Sequence, residues 1–173
     1  MGQRIVIHDF QSALAFSERA SEEPFWDAVY RKAFPTLVNH MPASGDTASQ
    51  RMGIDRIIVL ASGQTLNVDE KKRRGEWKDI LLEYISVDTT DTPGWIEKDL
   101  AIDYLAYAFM LSRRVYLFPW LMLRRAWNEF GAVWIATYSR VEAQNKGYRT
   151  ISVAVPIEIV RQKVSLASVI QLP

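Results

Sequence analysis

The sequence contains no cysteine, which removes disulfides, thiolate nucleophiles, cysteine-ligated zinc and iron–sulfur clusters. Histidine is almost missing: only His8 and His40 occur, so histidine-rich metal centres are excluded and a Ser–His–Asp triad has few ways to form. Long apolar runs are missing as well. The longest, Val115 to Leu123, is broken by Pro119 and is far shorter than the roughly 20 residues a membrane helix needs. His8 and Asp9 interrupt any signal-peptide core, and Val6 stands where myristoylation after Gly2 requires Ser or Thr. The expectation is a cytoplasmic protein with no membrane partner. Charge of one sign is not in excess either: 21 Lys and Arg face 20 Asp and Glu, so a basic surface for nucleic acid has to be local.

What the chain does have is enough apolar residue, 49% against 24% charged, to build a core over its 173 residues. That length predicts one domain spanning 1–173, with its core over about 20–165. Residues 3–10 read as a short strand or an irregular lead-in. Ser21-Glu22-Glu23-Pro24 opens a helix that carries Phe25, Val29 and Ala33 at four-residue spacing and stops at Pro35. The small and polar residues from Met41 to Gly53 read as a loop. Strands are expected over Gly53–Leu60, Thr65–Lys72 and Ile80–Ser86, the first two joined by a turn at Ala61-Ser62-Gly63-Gln64. Trp95 to Met110 reads as a helix with Leu100, Tyr104, Tyr107 and Leu111 on one stripe. A strand at Val115–Phe118, a Pro119-capped helix through Phe130, a strand at Thr150–Val155 and a helix at Pro156–Val164 complete an α/β sandwich around a mixed sheet.

The chemistry gathers around the first hairpin. Asp55 begins one strand, and Asp69-Glu70-Lys71 ends the next, with thirteen residues between the two aspartates. Two carboxylates brought together repel unless a cation lies between them, and hard divalent ions take such oxygens while leaving positions for phosphate. A lysine beside them can stabilise developing negative charge or orient a water. Side chains alternate along a strand, so Asp69 shares a face with Lys71 and Glu70 with Lys72. A three-residue loop Ser62-Gly63-Gln64 sets Asp55 on the Asp69 face; a two-residue loop Ser62-Gly63 sets it against Glu70. The Asp69/Lys71 face is favoured, and the Glu70/Lys72 alternative stays open.

This pattern, an acid on one strand followed by acid-x-Lys on the next after a leading helix, resembles the PD-(D/E)xK nuclease superfamily. Gly53-Ile54-Asp55 and Asp69-Glu70-Lys71 carry the resemblance, with Ile54 where the family has proline. It implies a restriction-endonuclease-like fold, a central mixed β-sheet flanked by helices, over roughly residues 20–120. Asp55 and Asp69 resemble the metal ligands, the carbonyl of Glu70 an additional one, and Lys71 the catalytic lysine. The implied cofactor is Mg²⁺ or Mn²⁺, the implied activity phosphodiester cleavage, the implied partner nucleic acid, DNA first, and a homodimer is compatible with it. The rival expectations are a binding module on the same fold that has lost hydrolysis, and a structural subunit of a larger assembly.

Several residues have more ordinary readings. Glu18, Glu22 and Glu23 suit a helix start better than a metal. Glu83 faces the same patch or pairs with an arginine. His8 and His40 lack partners at ligand spacing and read as surface residues. Gln50 and Arg51 are loop polarity or phosphate contacts. Lys71-Lys72-Arg73-Arg74, Arg113-Arg114 and Arg124-Arg125 could make a phosphate-binding surface, though such runs are usually solvated. The Trp and Tyr residues of 95–127 are core by default and base-stacking platforms only as a minority reading.

Overall fold

Pro24–Ala33 forms helix α1, with Asp27 in its first turn and Arg31 and Lys32 in its last, the charge order that suits the helix dipole. Phe25, Trp26, Val29 and Tyr30 are buried on one side of it, and Pro35 ends it as expected. The computed structural model describes residues 4–6, 24–43 and 52–173, so Glu18, Glu22, Glu23, His8, Gln50 and Arg51 lie outside the described residues. The chain is mixed α/β, with three helices and two sheets among the described residues, and its contacts divide it into two compact units.

One unit takes 4–6, Trp77–Asp99 and Met122–Ser165. Its five-stranded sheet has the order β1 (Arg4–Val6), β9 (Ser139–Asn145), β10 (Tyr148–Pro156), β5 (Asp79–Val87) and β6 (Thr92–Pro93). β1 runs parallel to β9 and the remaining pairs are antiparallel. Most of helix α2 (Trp120–Thr137) and the short α3 (Ile157–Lys163) belong to it. Trp127 of α2 is buried, stacks on Tyr84 at 6.3 Å and donates its indole N–H to Glu97 at 2.7 Å. Gly94 packs so closely on the Glu83 carbonyl that a β-carbon there would overlap it.

The other unit takes 24–43, 52–76, Leu100–Leu121 and Leu166–Pro173. Its six strands are ordered β11 (Ser168–Gln171), β8 (Arg114–Pro119), β7 (Tyr104–Phe109), β4 (Thr65–Arg73), β3 (Arg56–Leu60) and β2 (Leu37–Pro42). Only β4 and β7 pair in parallel. One face of this sheet, carrying Ile58, Leu66, Val68, Ala106, Ala108, Val115 and Leu117, packs with the apolar side of α1. Register puts Asp69, Lys71 and Arg73 on the opposite face, level with Leu105, Tyr107 and Phe109.

The structure corrects several expected elements. Trp95–Met110 is not a helix: Tyr104–Phe109 is strand β7, preceded by turns, and Leu111 is 74% exposed instead of lying on a buried stripe. All but one of the six β7 residues are fully buried because the strand sits between β4 and β8, and a short run apolar on both faces carries no period that separates strand from helix. The helix expected to stop at Phe130 continues to Thr137. Leu37–Pro42, Ser139–Asn145 and Ser168–Gln171 are strands where none was expected, and of their residues only Ile170 is buried.

Candidate metal centre

β3 and β4 form a hairpin with the register Arg56↔Val68, Ile57↔Asn67, Ile58↔Leu66 and Val59↔Thr65. Leu60 donates its amide to the Gln64 carbonyl at 2.9 Å, so the loop is Ala61-Ser62-Gly63, three residues long but one position earlier than expected. Gly63 supplies the positive φ of +83° that this turn requires. The pairing stops at Arg56. Beyond it the Asp55 amide still donates to the Val68 carbonyl at 2.9 Å, but the Asp55 carboxylate turns onto the sheet and accepts the Glu70 amide at 2.8 Å. The side chain thus does for β4 what the next strand residue would have done, because a backbone N–H at that depth needs an acceptor.

Asp69 is 1% exposed, and Lys71 donates to its Oδ1 at 2.6 Å. Its Oδ2 is buried and no group donates to it, while the Asp55 side chain stands within hydrogen-bonding reach of the Asp69 carboxyl. Burial raises the Asp69 pKa to about 7; the Lys71 ammonium pulls it down and the neighbouring Asp55 carboxylate pushes it up. Asp55 itself is exposed, and the Lys71 side chain is partly so. Asp55, Asp69 and Lys71 are therefore gathered at one place, with one carboxylate in the sheet, one at its surface and one ammonium beside them. Among the described residues there is no group of three or more His, Asp or Glu side chains placed to hold a metal. The donor set here is two carboxylates with a backbone carbonyl in reserve.

The side chain of Glu70 goes to the other face. Arg56 and Tyr30 both donate to its Oε1, Tyr30 at 3.0 Å, and Lys72 stands 3.8 Å from Oε2. Burial raises the Glu70 pKa and lowers that of Lys72. Of the two faces left open by the sequence, the Asp69/Lys71 face is the one Asp55 joins, while Glu70 and Lys72 lie under α1. Any role of Glu70 as a ligand accordingly falls to its carbonyl.

The basic runs are partly solvated, with Arg74, Arg113 and Arg125 exposed and others engaged. Lys72 is only 5% exposed in its side chain, and Arg114 bonds Glu76 and Gln171. Arg113 lies over the Phe25 ring, and Arg124 donates to the Ile96 carbonyl. Trp95, Tyr107, Tyr116, Trp120 and Trp127 are buried, which is their ordinary role as core. Glu83 lies on β5, across from Ser152. His40 is not a plain surface residue: it sits on β2 with Nε2 3.0 Å from Asp27 and Nδ1 3.1 Å from Arg56. Sequence reasoning also missed Arg56 and Tyr30. The signal for Arg56 was present, since an arginine in the run Arg56-Ile57-Ile58-Val59-Leu60 has to be buried with a carboxylate.

The chain matches no family model, no curated protein and no solved structure. Among the described residues no helix is long and apolar enough to cross a membrane.

Proposed function

We propose that Asp55, Asp69 and Lys71 form the centre of a metal-dependent nuclease of the PD-(D/E)xK type, on a restriction-endonuclease-like arrangement of the six-stranded unit, with DNA as the favoured substrate. The observation that carries this reading is the buried Oδ2 of Asp69, to which no group donates, next to the Asp55 carboxylate. A buried carboxylate oxygen without a donor is costly, and a cation is the partner that satisfies it while relieving the repulsion from Asp55. The residues present fit Mg²⁺ or Mn²⁺: both supply only oxygen, the preference of hard ions.

In this reading Asp55 and Asp69 hold the ion, and the Glu70 carbonyl is available as a further ligand. When bound, a divalent ion supplies a water of lowered pKa and screens the charge of the scissile phosphate. Lys71 stays beside Asp69, where its ammonium stabilises negative charge developing on the phosphate oxygens or orients the attacking water. Burial pushes the Asp69 carboxyl up to about 7, so below that pH the carboxylate that would hold the ion would first have to shed its proton.

The test is cleavage of linear, single-stranded and branched DNA in Mn²⁺ by the full chain and by Asp69→Ala and Lys71→Ala, with circular dichroism reporting folding. Activity in the wild type that disappears in both folded variants supports the proposal. A second reading, a nucleic-acid- or protein-binding module without hydrolysis, draws on the Lys71–Asp69 ion pair, which already neutralises one of the acids. Binding without turnover in the wild type would favour it.

A further inference from the structure

On the face of the sheet away from Asp69, five side chains close a ring that ties helix α1 to three strands. Asp27 of α1 lies 3.0 Å from His40 Nε2, and His40 Nδ1 lies 3.1 Å from an Arg56 guanidinium nitrogen. Arg56 donates to Glu70 Oε1, and Tyr30, one turn along α1 from Asp27, donates to the same oxygen at 3.0 Å. The guanidinium has only donors, so His40 accepts at Nδ1 and keeps its proton on Nε2 for Asp27: a neutral imidazole in one tautomer. The Tyr30 ring packs 5.7 Å from His40 and lies 5.6 Å from the Arg56 guanidinium carbon. Arg56 and Glu70 are 2% and 4% exposed.

We propose that this ring is the positioning device of the candidate metal centre, with Tyr30, His40 and Arg56 acting through Glu70; the inference rests on the reading of Asp55 and Asp69 as cation ligands. Glu70 is connected to both faces. Its side chain is fixed by the ring, its amide holds the Asp55 carboxylate, and its neighbour in the chain is Asp69. The β3–β4 register ends at Arg56↔Val68; beyond it the Asp55 backbone is held by its amide on the Val68 carbonyl and by the Ala43 amide on its own carbonyl, which leaves the carboxylate to be oriented by the Glu70 amide. The orientation of the Asp55 carboxylate relative to Asp69 therefore depends on how firmly Glu70 is seated. An apolar residue at position 70 would fill the same space against α1 without burying a charge, so packing alone does not account for a carboxylate here. Outer contacts that fix a ligand's orientation are a recognised determinant of metal affinity.

The experiment is titration of the folded full chain with Mn²⁺, followed by electron paramagnetic resonance, for wild type, Tyr30→Phe, His40→Gln and Val29→Ala. Val29 is fully buried on the same helix but outside the ring, so Val29→Ala lowers Tm without touching the network. Tyr30→Phe and His40→Gln are expected to raise the Kd for Mn²⁺ roughly tenfold, the lower end of the range for such contacts. Val29→Ala should bind as the wild type does. Ring variants that bind Mn²⁺ like the wild type, or a Val29→Ala that weakens binding as much as they do, would reduce the ring to a structural role and overturn the inference with the metal reading intact. A wild type that binds no Mn²⁺ removes the metal reading itself and the inference with it.

Discussion

Asp69 sets up an opposition between folding and binding within one side chain. Burial raises its pKa to about 7 from an ordinary 3.8, so between those values the native state holds a proton that the unfolded chain has released. Stability from this group is full below about pH 4 and is lost as the pH rises through about 7. Glu70, also raised by burial, contributes with the same sign. The Tm of the cation-free chain should fall across that window, and Asp69→Asn should remove Asp69's share of the fall; thermal melts from pH 4 to 8 check both. Mn²⁺ added at pH 8 should raise the Tm of the wild type and leave that of Asp69→Asn unchanged, since only a ligand that prefers the native state shifts the equilibrium. At this scale much was legible: the acid-x-Lys spacing named Asp55, Asp69 and Lys71, and alternation put Asp69 with Lys71. What the sequence could not tell was that Glu70 and Lys72 belong to a buried network with Tyr30 and His40, because those partners are brought in by α1 and β2 from far along the chain.

Among the elements, the β3–β4 hairpin carries the site, and its turn depends on Gly63. A β-carbon at Gly63 meets no atom within contact distance, so the penalty of Gly63→Ala comes from its φ of +83° alone. That substitution should cost roughly 1–2 kcal/mol in denaturant unfolding. Gly63→Asn should cost less, because Asn tolerates the left-handed region. Gly94→Ala is expected to be far more damaging, because the new methyl meets the Glu83 backbone instead of open space; unfolding of the two alanine variants side by side measures the contrast. The hairpin was legible because β3 and β4 combine β-branched runs with a glycine turn. The loop position was off by one because three-residue loops at 61–63 and 62–64 both end near Gly63 and preserve the same face. β7 was misread because it is apolar on both sides, and β2, β9 and β11 because they bury too little to leave an alternating pattern.

For the whole molecule, a formal charge of +1 offers no long-range attraction to a polyanion. Lys72, Arg114 and Arg124 are already engaged with the protein's own groups, so on the proposed nuclease reading DNA affinity would come from local contacts and the bound ion. Binding should therefore show a shallow dependence on salt compared with strongly basic nucleic-acid proteins, measured by fluorescence anisotropy across a salt series, and it should weaken when the divalent ion is chelated. The nuclease proposal stands or falls on whether Asp55 and Asp69 together hold a divalent ion. Crystals soaked in Mn²⁺ and measured for anomalous scattering give the most direct answer. A peak is expected between the Asp55 and Asp69 carboxylates and should be lost in Asp69→Asn. Well-ordered carboxylates with Lys71 still bonded to Asp69 and no peak between them, or a peak only at another place, would contradict the proposal.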